Sequence, residues 1–99
     1  MRLEYHPAVQ GDFNAALDYY EGEGGPHLAD RFEAEFRTCI ASINAGPRQF
    51  PPYRKSPVFR RVRLKSFPFL IVYREKTDVI RVTLLKHERR HPQFGMTRW

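Results

Sequence analysis

The strongest constraint on this chain is a change of hydrophobic period at a proline-rich stretch in its middle. Before residue 47 apolar side chains recur every three or four positions, and after residue 58 they recur every second one. The first spacing lines one face of a helix and the second lines one face of a strand. Helices therefore come first and most of the sheet afterwards, an order that belongs to α+β folds rather than to alternating βαβ units.

Val9, Phe13, Ala16, Leu17 and Tyr20 form one apolar stripe and predict a helix over about 7–21, with Pro7 in its first turn. Gly22, Gly24, Gly25 and Pro26 break it. Leu28, Phe32, Phe36, Cys39, Ile40 and Ile43 predict a second helix over about 27–45, stopped by Gly46-Pro47. Four prolines make 47–57 an ordered connector. Three antiparallel strands are then expected at about 59–65, 69–75 and 79–86, and the alternation of Leu3 and Tyr5 adds a short strand at the start. The expected fold is a two-layer α+β domain, one helical hairpin on one face of a small antiparallel sheet. By strict alternation Ile80, Val82 and Leu84 face the helices, while Arg81, Thr83, Leu85 and His87 face away with Arg61, Arg63 and Lys65.

Ninety-nine residues suffice for one domain, and 41% apolar content can fill its core. No apolar run reaches the roughly 20 residues of a bilayer span. The opening Met1-Arg2-Leu3-Glu4 also lacks the apolar stretch of a signal peptide, so a cytoplasmic protein with no membrane contact is expected. One cysteine makes no internal disulfide, and four scattered histidines make no metal cage. Neither a metal nor a cofactor is expected.

Charge is divided along the chain. Residues 1–45 hold three Lys/Arg against eight Asp/Glu, a net −5, and residues 46–99 hold fourteen against three, a net +11. The second half must present a field that attracts polyanions: nucleic acid or an acidic protein. Cleavage of RNA through its 2′-hydroxyl needs a base, an acid, and cations for the charge gathering on phosphorus oxygens. His87 with Arg61 and Arg81 is the minimal catalytic set on the expected open face, with Arg63, Lys65, Arg89 and Arg90 as nucleic-acid contacts. The plainer reading of the same residues is a set of solvated strand-edge cations. His6, His27 and His91 read as surface residues and Cys39 as core, while Phe94 and Trp99 either fold back on the domain or stack on bases.

Phe59-Arg60-Arg61-Val62-Arg63, Phe67-Pro68-Phe69-Leu70-Ile71-Val72-Tyr73, Val79-Ile80-Arg81-Val82 and His87-Glu88-Arg89-Arg90-His91-Pro92, in this order, resemble the RelE/ParE superfamily of bacterial toxins. Tyr5-His6-Pro7-Ala8, Asp12, Ala16 and Tyr19-Tyr20 are similar to that family's opening helix. The resemblance implies the toxin of a type II toxin–antitoxin module, encoded with an acidic antitoxin. RelE-like members cleave mRNA on the ribosome, and ParE-like members poison DNA gyrase. In the nuclease branch, the resemblance matches a strand arginine to Arg61 or Arg63, a nearby cation to Lys65 and a terminal basic residue to His87. The tyrosine that many nucleases carry near the end is absent, with Gln93 and Phe94 in its neighbourhood. Ribosome-associated mRNA cleavage is the expected activity, gyrase inhibition the alternative, and a non-toxic nucleic-acid-binding module the third reading.

Overall fold

The computed structural model describes all 99 residues. Its elements run β1 (Arg2–Tyr5), α1 (Val9–Ala45), β2 (Phe59–Arg63), β3 (Phe69–Lys76) and β4 (Val79–His87). No helix is long and apolar enough to cross a membrane.

α1 is divided at Gly25, whose φ of 78° and ψ of −175° lie outside helical space, into arms 9–24 and 26–45. Side-chain-bearing residues rarely reach that conformation, so the break falls on a glycine. The five-residue interruption expected from the sequence thus contracts to a single residue. Pro26 opens the second arm, where its missing N–H is no loss. The arms run antiparallel: the Phe13 ring lies 4.9 Å from Phe36, while Tyr20, further along, lies 5.3 Å from Phe32, earlier in the second arm. At the far end Pro47 bars its predecessor from helical space, and Gly46, at φ −156°, closes the helix by donating to the Ser42 carbonyl at 3.1 Å.

The sheet has the order β1-β4-β3-β2; β1 lies parallel to β4 and the other neighbours are antiparallel. The meander forms antiparallel as the period predicts, and the first strand joins it as expected but in parallel, so the sheet is mixed rather than wholly antiparallel. β2 ends at Arg63 rather than Lys65, where the chain turns into β3 and the Leu64 N–H donates to the Phe69 carbonyl at 3.0 Å. The helical arms cover one face, where Phe32, Ile43, Ile71, Tyr73, Ile80 and Val82 are wholly buried. Phe32 packs edge-on against Phe67 and Phe69, each at 5.2 Å.

β4 departs from strict alternation. Val72 of β3 pairs with Leu84, but Tyr73 pairs with Val82, so Thr83 is an extra residue in a β-bulge. Its hydroxyl donates to the Val72 carbonyl at 3.2 Å. The bulge reverses the side-chain parity beyond it. Leu85 joins Ile80 and Val82 under the helices, while Leu84 turns to the opposite face with Tyr53, Phe59 and Val72. His87 follows Leu85 to the helical side, and its expected position beside Arg81 on the opposite, outer face is overturned.

Nor does the outer face stay open. Met96 packs on the Tyr53–Phe59–Val72–Leu84 cluster, and the Trp99 ring lies 5.2 Å from Phe59. The tail after β4 folds back against the domain, with Trp99 still 58% exposed and Phe94 stacked against Arg90 and Arg98. The connector also closes the free edge of β2, since Arg61 N–H donates to the Pro51 carbonyl and Tyr53 N–H to that of Phe59. Tyr73 ties the start of that connector to the sheet through its hydroxyl, which donates to the Pro47 carbonyl. Burial pushes the Tyr73 phenol up to about 12.

Candidate functional site

Outer-face side chains follow the strand register in three rows. Phe59, Arg74 and Arg81 form the first, Arg61, Val72 and Leu84 the second, and Arg63, Leu70 and Lys86 the third. Arg61, Arg63 and Arg81 are thus on one face as expected, joined by Arg74 and Lys86, neither of them among the expected residues. Arg74 follows from plain alternation with the buried Tyr73 on β3, whereas Lys86 reaches this face only through the bulge at Thr83.

These cations differ in how they are compensated. Arg81 binds the Glu4 carboxylate at 3.2 Å and the Trp99 main-chain oxygen at 2.6 Å. Desolvation, the largest influence on Glu4, raises its pKa, yet bonds from Lys76 and Arg81 together bring it below the ordinary value. Arg63 pairs with Glu88. The Arg74 guanidinium stacks 4.9 Å from the Trp99 ring centre. Lys86, only 5% exposed, has no carboxylate; its ammonium donates to the Arg90 carbonyl at 3.1 Å and sits 5.7 Å above the Tyr53 ring. Arg61 and Lys65 form no ion pair, and Lys65 and Arg89 project into solvent. Arg90 leaves the face to stack 4.1 Å from Phe94. The outer face is therefore basic, with Arg61, Arg74 and Lys86 lacking a carboxylate partner, although Lys86 is buried and Trp99 lies over Arg74.

His87 lies on the helical side, opposite Phe69 in the register, with the two rings 5.3 Å apart. It borders a groove of about 680 Å³ between the first arm of α1 and the tail, beside Tyr19, Phe94 and Arg98. Its Nδ1 accepts the Arg89 N–H at 3.0 Å. His6 and His91 accept the N–H two residues on in the same way, so all three histidines brace local turns. The expected acid–base residue and the expected phosphate-binding arginines stand on opposite faces of the sheet.

β1 pairs with β4 only as far as Val82, so residues 83–87 of β4 lack a strand neighbour on that side. Side chains take its place. Asp12 accepts the Leu85 N–H at 3.1 Å, and Arg98 donates to the Thr83 carbonyl at 3.1 Å while gripping Asp12 at 2.6 and 3.2 Å. This pair pins the tail to α1. Nearby, desolvation first and then the Arg98 and Arg81 charges hold the His6 imidazole below its ordinary value, against a smaller opposite pull from Asp12. The unfolded chain then takes up a proton more readily than the folded one, so the resulting stability is present above about pH 6.5 and is lost as pH falls below it. Urea midpoints are expected to fall between neutral pH and pH 5.5. They should fall less in His6→Asn, whose amide oxygen can still accept the Ala8 N–H; an identical pH dependence in the variant would remove His6 as the cause.

A helical hairpin backing a four-stranded sheet of this order is the fold shared by the RelE/ParE class. Residues 3–92 match the family described as ParE toxin of the type II toxin–antitoxin system parDE, and the chain belongs to that family. Membership implies an antitoxin partner. Among solved structures, the chain is similar to the chromosomal ParDE toxin–antitoxin system of P. aeruginosa, with a TM-score of 0.79 and 20% identity over 88% of this chain and 95% of that one. It is also similar to the isolated RelE toxin of E. coli, with a TM-score of 0.61 and 13% identity over 97% of this chain and 93% of that one. No curated protein matches it in sequence.

Proposed function

We propose that this ParE-type toxin arrests growth by binding its target rather than by cutting RNA, and that the target is DNA gyrase. One observation carries the reading: the Thr83 bulge places His87 behind the sheet, away from Arg61 and Arg81. General acid–base catalysis requires the proton carrier within hydrogen-bond reach of the reacting atoms, and phosphate held on the outer face would be screened from His87 by the sheet. Inhibition by binding needs only a surface. An acidic antitoxin segment would mask that basic surface until the antitoxin is degraded.

Ribosome-associated mRNA cleavage is the second reading, favoured by the uncompensated Arg61, whose charge suits a phosphate under attack. Expression of the chain alone separates the two. Filamentation with DNA damage, while methionine incorporation continues, is expected; an immediate fall in incorporation would overturn gyrase inhibition and install the nuclease. His87→Ala is expected to keep its toxicity, whereas a general acid or base would lose about 10² to 10⁴ in rate. Thermal unfolding of the variant confirms that the comparison is made on folded protein.

A further inference from the structure

Two stretches of sheet edge in this protein are defended and one is bare. The connector covers β2, and Asp12 with Arg98 covers the end of β4. β1 has nothing on its outer side. Arg2 and His6 donate their N–H groups to the carbonyls of Asp78 and Val82, at 3.2 and 2.8 Å, so the even-numbered residues turn their main chain toward β4. Main-chain direction alternates along a strand, which leaves the N–H and C=O of Leu3 and Tyr5 pointing outward and unpaired. Exposed edges are ordinarily blunted by proline, a bulge, an inward charge, charged side chains or shortness, and β1, four residues long with Arg2 and Glu4, has only the last two. Residues 1–5 contain no proline, and the β1–β4 register runs without a bulge.

The bare edge has a particular complement. When Met1-Arg2-Leu3-Glu4-Tyr5 is laid antiparallel on a second copy of itself about Leu3, Arg2 falls opposite Glu4 twice over, Leu3 opposite Leu3, and Tyr5 opposite Met1. Both pairs lie on the outer face and join opposite charges. Arg2 has no ion pair within its own chain, while Glu4 already serves Arg81 and Lys76 and remains 30% exposed. Met1 and Tyr5, exposed by 58% and 45%, would cover one another. Beside the edge, two hollows of about 380 and 280 Å³ share Tyr5, Phe36 and Arg37 in their walls, leaving room for the incoming side chains. The direction of the main chain fits as well, because Leu3 is an outward-pointing residue and can exchange both of its hydrogen bonds with its copy.

We propose that β1 is a self-association edge, through which two copies of the chain join antiparallel about a two-fold axis at Leu3 and merge their sheets. The contact is isologous, so it closes as a dimer and does not propagate. It is also small, and the dimer it makes is weak and sensitive to salt, because its charge pairs are exposed.

Sedimentation equilibrium on the purified full chain should show a concentration-dependent dimer that dissociates as salt is raised. Arg2→Glu and Glu4→Lys each place like charges across both pairs, and each alone should weaken association roughly tenfold or more. Mixed in equal amounts, the two variants restore opposite charges at both pairs and should associate again. Amide hydrogen exchange gives an independent readout that needs no variant: Leu3 and Tyr5 should become protected as concentration rises, with other exposed amides unchanged. A monomer at every concentration, a dimer indifferent to both substitutions, or protection of Leu3 and Tyr5 only when antitoxin is added would each overturn the proposal, the last by giving the edge to the antitoxin.

Discussion

Asp12→Ala is expected to destabilise the fold by about 3 kcal/mol, the lower end of what breaking a buried ion pair costs. The side chains of Arg98 and Asp12 are only 14% and 8% exposed, so little water replaces the lost partner. The substitution strands the Arg98 guanidinium beside the Thr83 carbonyl and leaves the Leu85 N–H without an acceptor. Unpaired buried groups forfeit their hydration, which is why truncating one partner is worse than never having had the pair. Urea unfolding measures the loss. Arg98→Ala should cost a comparable amount, and the double variant should cost less than the two singles combined, because the second truncation removes a charge that the first had already stranded. Additive losses, or a loss below about 1 kcal/mol for Asp12→Ala, would mean that the pair does not hold the tail and the β4 edge together.

Phe32→Ala should cost about 3 to 5 kcal/mol, the range for deleting a large buried aromatic side chain. Phe32 is wholly buried and sits where the two arms of α1 meet the sheet, with Tyr20 at 5.3 Å and Phe67 and Phe69 each at 5.2 Å. No single neighbour can move into the space, since each is held by a different element. A domain of this size has only about 5 to 15 kcal/mol of total stability, so the variant should melt far below the parent. Phe32→Leu keeps most of the volume and should recover much of the loss. If Phe32→Ala proved nearly neutral in thermal unfolding, the aromatic cluster would not be the hinge of the two layers.

Legibility in the sequence varied element by element. Helical stripes such as Val9–Phe13–Tyr20 and Phe32–Phe36–Ile43 were readable because residues three and four apart are neighbours on any helix, whatever packs against them. The role of Asp12 was not legible, since nothing local shows that a strand edge more than seventy residues later lacks a neighbour. The arginines Arg61, Arg63 and Arg81 were placed on the correct face because each lies before the bulge or on another strand. His87 was misplaced by a single extra residue. In a strand one residue of slip moves every later side chain to the other face, so the inferred site lost its only proton carrier.

Local rules sufficed for the order of elements, the helical hairpin, the meander, the acidic-to-basic gradient and the family resemblance, all of which rest on residues close together in the chain. The tertiary structure alone decided that Thr83 bulges, that the tail covers the outer face, that Asp12 and Arg98 stand in for a missing strand, and that β1 is left bare. These features depend on which main-chain groups find partners across long stretches of sequence. A hydrogen-bonding group must be satisfied wherever burial removes water, and the residue that satisfies it is chosen by proximity in the folded chain rather than by position along it.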